Sequence, residues 1–234
     1  MALVRFGGGI TQLSGSIGGT TFARNRSGNY ARSRTTPVNP SSSRQQDIRT
    51  IIANLSEEWN DTLSAAQRLA WNDYAANVAM TNRLGETIHT TGFNHFVRSN
   101  SVRAYCGNIG QVDAGPIIGA LPDPDPLFAA DPQNDQTVDF TYDDTMDWCD
   151  EDGAQMMIFC GQPQLASRSF FAGPYRYAIR IVGSSLTPPT SPSDGNAMPF
   201  TVNVGSRMWF YARISRADGR VTGKFFDGPR LVPS

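Results

Sequence analysis

The side chains of this 234-residue chain best suited to chemistry are two histidines, three cysteines and a dense run of carboxylates between Asp143 and Asp152. Catalysis by an activated nucleophile needs a base within hydrogen-bond reach. His89 and His95 are the only histidines, separated by five residues, and neither sits in a G-x-S-x-G or H-E-x-x-H pattern. Gly7-Gly8-Gly9 and Gly15-Ser16-Ile17-Gly18-Gly19 are rich in glycine. They follow no clear strand and open no helix, which is the context in which such a loop cradles phosphate. Cys106, Cys149 and Cys160 are widely spaced and form no CxxC pair, so the common zinc modules do not fit. Cys149 and Cys160 could flank a hairpin and pair, but buried or half-buried reduced thiols are the expectation. If Asp152-Gly153 takes positions 5 and 6 of a calcium loop, position 1 falls on Trp148, and the EF-hand pattern fails. The acidic run is instead expected to be a solvated turn or a docking patch for an arginine-rich neighbour. No enzyme, metal site or cofactor is expected.

Recognition of an anion or a partner is the better-supported chemistry. Arg24, Arg26, Arg32 and Arg34 lie in a short stretch with Phe22 and Tyr30. Guanidinium groups make planar, multidentate contacts and aromatic rings stack on bases, so this arm suits protein interfaces and nucleic acid alike. The formal net charge of -1 conceals blocks of opposite sign. Residues 1–49 carry seven arginines against Asp47, a net +6; residues 111–152 carry twelve acids and no base; residues 153–234 return to +6. Such blocks attract one another within a chain or between copies, and the acidic middle could neutralise the arm in cis. Of the twenty basic residues only Lys224 is a lysine, a bias that fits interfaces and is equally explained by genome composition.

These residues have to be positioned by something. With 39% hydrophobic residues the chain can bury a core, and its length suits one large or two small domains. The 22 glycines and 15 prolines call for many loops and short strands. No stretch approaches the roughly 18 apolar residues of a membrane span, and residues 1–7 lack the apolar core of a secretory signal, so a soluble chain with no membrane partner is expected. Residues 1–42 form a Gly/Arg-rich arm too poor in apolar residues to close a core, with two short strands expected around a Ser27-Gly28-Asn29 turn. Residues 43–109 are helical. Ser43 with Gln46 reads as a capping box before Ile48, Ile51, Ile52, Leu55 and Trp59. Ser64 with Gln67 repeats the pattern after a short link at Asn60-Asp61-Thr62, and a third helix runs from near Gly92 to Tyr105, stopped by Gly107.

Residues 110–135 are a Pro/Asp-rich linker by composition. Over residues 136–234 the period becomes two, with strands expected at 137–142, 154–160, 175–182, 200–204 and 207–214, then a tight turn at 217–220 into 221–226. Arg180 and Arg213 would point outward, and the many aromatics are expected to pack in the core or across strands. The fold class is α+β: an extended arm or hairpin, a helical hairpin plus a third helix, and a C-terminal antiparallel β-sandwich similar in outline to immunoglobulin or fibronectin type III modules.

Several segments carry a resemblance across most of the chain. Residues 18–28 (GGTTFARNRSG), 32–40 (RSRTTPVNP), 63–71 (LSAAQRLAW) and 91–98 (TGFNHFVR), with Gln45 and Arg49, resemble uncharacterised proteins encoded in the structural regions of tailed phages and prophages. Residues 171–177 (FAGPYRY) and 215–220 (SRADGR) resemble the C-terminal β module of the same group. The resemblance implies a virion component, on the capsid shell or in the neck or tail. It carries no catalytic motif. The implied role is a capsid-associated cement or decoration protein, with a neck or tail component and an arginine-arm DNA-binding virion protein as the other readings. The implied partners are the major capsid or other virion proteins and copies of itself, with DNA contact through the arm as a further possibility. Arg24, Arg26, Tyr30, Arg32 and Arg34 are the candidate partner-binding residues.

Overall fold

The computed structural model describes residues 2–25, 28–36, 38–82, 84–107 and 110–233. It has the α+β architecture, and the chain runs through three packed layers after an outlying N-terminal sheet. That sheet holds β1 (Ala2–Leu3), β2 (Gly15–Ile17), β3 (Thr20–Asn25) and β4 (Gly28–Ser33) in the antiparallel order β1-β4-β3-β2. Two outer strands thus flank the expected hairpin. Pairing of Asn25 with Gly28 and of Arg24 with Asn29 puts Gly28 and Asn29 in the ladder rather than in the turn expected of them. Arg26 and Ser27 lie outside the described residues.

Helix α1 (Ser43–Glu57) begins one residue earlier than a Ser43 cap would allow. The Gln46 amide donates to the Ser42 carbonyl at 3.0 Å, so Ser43 is already helical and Ser42 is the N-cap, without a side-chain cap bond. The link at Asn60–Thr62 falls in a single π-helical turn, Glu58–Thr62, whose Trp59 and Asn60 carbonyls accept from Arg68 Nη1 at 3.0 and 3.1 Å. Helix α2 (Ala65–Asn77) opens on the expected capping box: Ser64 Oγ accepts from the Gln67 amide, and the Gln67 side chain accepts from the Ser64 amide at 2.8 Å. A two-stranded ribbon, β5 (Met80–Thr81) with β6 (Thr87–Ile88), leads to α3 (Gly92–Tyr105). Leu55, Leu63, Trp71, Tyr74, Val78 and Phe96 form the helical core. Trp71 is fully buried, edge-on to both Tyr74 and Phe96.

Residues 110–128 are strapped to the helices rather than hanging free. Trp71 Nε1 donates to the Asp113 carbonyl at 2.9 Å, and the Asn100 side chain bonds both the amide and the carbonyl of Val112. Gly115 lies so close to the backbone of Ala70 and Trp71 that a Cβ there would sit 2.5 Å from it.

The sandwich follows: β7 (Ala129–Pro132), β8 (Thr137–Thr141), β9 (Gln155–Gly161), β10 (Tyr175–Val182), β11 (Ser193–Ala197), β12 (Arg207–Ser215) and β13 (Phe225–Leu231). One sheet has the order β11-β8-β7 and the other β10-β9-β12-β13, all pairs antiparallel. Compared with the immunoglobulin constant plan, the fourth sandwich strand, β10, has crossed to the sheet of the third. Val138, Phe140, Met156, Ile158, Met208 and Phe210 meet between the sheets.

Four expectations need correction. Strand β7 lies in the segment read as linker, on a sheet edge where Pro132 removes no needed donor. Residues 200–204 are not a strand: Gln136 Oε1 accepts from the Val202 amide at 2.7 Å and its Nε2 donates to the Val202 carbonyl at 2.6 Å, replacing a ladder partner. The last strand starts at Phe225 rather than Val221, which makes only an isolated bridge to Ser215. Arg213 does project from the outer face of its sheet, but that face is covered. The C-terminal half of α3 packs on it, with Val102, Tyr105 and Cys106 against Met157, Phe159 and Tyr211, which is why both faces of β9 are buried.

Candidate assembly surface

The N-terminal sheet is built by its glycines and held by almost nothing else. Ile17 pairs with Thr20 across Gly18-Gly19, whose φ values of 53° and 81° are those a tight two-residue hairpin turn requires. Val4 and Arg34 extend the sheet by amide bonds to the Asn29 and Gly19 carbonyls. Among the described side chains of these four strands none is buried. Alternation along the strands separates the candidate residues. Phe22 and Arg24 share one face with Ile17 and Ala31; Tyr30 and Arg32 share the other with Leu3, Ala23 and Thr21. Arg34 follows the end of β4 and is exposed, and Arg26 lies outside the described residues. The arginines therefore make no single stripe. Each face offers one aromatic ring beside one guanidinium.

One ion pair ties this sheet to the body, Arg5 Nη2 to Glu86 Oε1 at 3.0 Å, above a shallow cleft floored by Val4, Ile10 and Leu84. Among the described residues no carboxylate pairs with the side chains of Arg24, Arg32 or Arg34. Among the described residues the acidic block makes no ion pair with the arm.

That block divides into structural and free carboxylates. Asp125 is buried and accepts from the Leu127 and Asp143 amides at 2.8 and 3.0 Å; burial nonetheless raises its pKa. Asp139 accepts from the Gly195 amide, and Glu151 pairs with Arg216 Nε. Asp135 and Asp152 are exposed, and hydrogen bonds from Thr137 and Ser185 hold their carboxyls below the usual range. Asp123, Asp147 and Asp150 remain exposed around the β8–β9 loop, as does Asp144, which accepts from the Ser191 amide at 3.1 Å. Among the described residues no three His, Cys, Asp or Glu side chains gather as a metal site would require.

His95 and the three cysteines are sealed. His95 is fully buried, 5.0 Å from the Tyr74 ring, and burial beside Arg98 lowers its pKa to about 4, so it is neutral. His89 is exposed and lies away from it, on a shallow cleft beside α2. Cys106, Cys149 and Cys160 are free and buried, and burial pushes each thiol up to about 12. Sequence reasoning missed the arginines between α3 and the sandwich. Arg103 donates to the carbonyls of Gly110, Gly153 and Arg216 and to Ser215 Oγ, while Arg98 Nη2 donates to the Thr222 carbonyl at 2.7 Å. Their only signal in sequence is a pair of arginines five residues apart on α3, which reads equally well as a solvated face.

No protein-family model, no curated protein and no solved structure matches the chain.

Proposed function

We propose that this chain is a non-enzymatic structural component of a tailed-phage virion, a capsid-associated cement or decoration protein that fastens to its neighbours through the N-terminal sheet. The observation that carries this reading is the sheet itself, four strands with no buried side chain among those described. Ordering backbone costs about 1–2 kcal/mol per residue, and a small sheet needs a surface to offset it. Among the described residues the body supplies one ion pair and a shallow cleft at Leu84, and on this reading a neighbour supplies the rest of the surface. The remainder, three helices and a sandwich joined by buried Arg103 and half-buried Arg98, is a packed block of the kind that a shell could display. Residues resembling phage structural proteins span the arm, the helices and the sandwich, which favours the virion among possible assemblies. Deleting residues 1–36 is expected to abolish incorporation into particles while the truncated chain remains folded. Unchanged incorporation would defeat the proposal.

A further inference from the structure

The arm and the acidic loop are complementary in charge, and among the described residues no ion pair joins them. Beside that loop lies a cleft of about 500 Å³ between residues 118–123, 146–148 and 214–220. Buried Trp148, half-buried Leu121 and exposed Ile118 line it, together with the exposed Asp123 and Asp147. Arg216 and Arg220 also line it, but their Nε atoms are engaged, Arg216 by Glu151 and Arg220 by Asp218 at 2.6 Å. Asp147 makes a long ion pair with Arg216 Nη1 at 3.8 Å, yet its side chain is 88% exposed. A visitor therefore meets apolar side chains beside two exposed carboxylates. Each face of the N-terminal sheet carries the counterpart, Phe22 with Arg24 or Tyr30 with Arg32.

We propose that the N-terminal sheet of one copy docks in the Asp123/Asp147 cleft of a second copy. This deepens the assembly reading, on which it rests, by naming the partner surface. An aromatic ring covers the apolar side chains while its neighbouring guanidinium reaches the carboxylates, a contact strengthened by partial desolvation. The two surfaces occupy different parts of the molecule, so either can be disabled without the other.

Sedimentation velocity of the full chain tests this. Self-association is expected at 50 mM NaCl, weakened by about tenfold or more at 500 mM as the charges are screened. R24E/R32E and D123R/D147R are each expected to be monomeric at both salts. All four positions are exposed, and circular dichroism verifies that each variant is folded. Mixing the two variants is expected to restore association, because one retains a native cleft and the other a native arm. A monomeric wild-type chain, association indifferent to salt, or a mixture that stays monomeric would overturn the contact. The virion reading fails separately, if the chain is absent from particles whatever its behaviour in solution.

Discussion

His95 shows how a residue that looks catalytic in sequence becomes a stability determinant in the fold. Its pKa falls from 6.5 to about 4 on folding, so between those values the unfolded chain takes up a proton that the native chain refuses. Stability is full above pH 6.5 and falls as pH drops toward 4, by up to about 3 kcal/mol. Urea midpoints across pH 4–7 should show that slope, and H95F should flatten it; identical slopes in the two proteins would refute the assignment. Arg103 is the opposite case, a charge that looks solvated and is the main polar fastener between α3 and the sandwich. R103M leaves three carbonyls and a hydroxyl without their donor and should cost about 3 kcal/mol in chemical denaturation, with R103K recovering only part. Neither burial was legible, because periodicity reports which residues are apolar and is silent about a polar side chain sealed by a second layer.

Among the elements, those made by local rules were legible and those made by partners were not. The Ser64 capping box and the stop at Gly107 follow from short-range bonding, whereas the box expected at Ser43 did not form because Ser42 is the N-cap. Strand β10 alternates along its length and was found with its full span, Tyr175–Val182. Strand β11, Ser193–Ala197, has the composition of a turn and is a strand only because β8 lies beside it. Residues 200–204 alternate like a strand, yet the Gln136 side chain occupies their backbone. Gln136 itself sits at φ 74°, a left-handed conformation that glycine tolerates best. Q136A should therefore lose about 1–2 kcal/mol, and Q136G should be less destabilised than Q136A by about 0.5–1 kcal/mol because it relieves the backbone while losing the same bonds. Equal losses in thermal melts would show that the side-chain bonds alone hold this loop. At the candidate surface, the arginine-and-aromatic content of the arm was legible, whereas its division between two faces depended on the register of β3 against β4, which composition does not encode.

At the scale of the whole molecule, the division of labour lies between a body that holds itself together and an arm that does not contribute to it. Removing residues 1–36 should leave the melting temperature of the body within about 2 °C, since the loss amounts to one exposed ion pair. A larger drop would mean that the arm is part of the folded unit rather than a fastener for neighbours. The alternating charge blocks make sense on the same scale: some carboxylates accept hydrogen bonds that close turns, and those left over face outward, where the proposed contact would bring the arginines of a second copy. The measurement that tests the virion role most directly is quantitative mass spectrometry of gradient-purified phage particles, reading the copy number of this chain against the major shell protein. A shell-associated protein of this kind should be present in hundreds of copies per particle; a dozen or so would move it to the neck or tail, and its absence from the particles would contradict the virion role altogether.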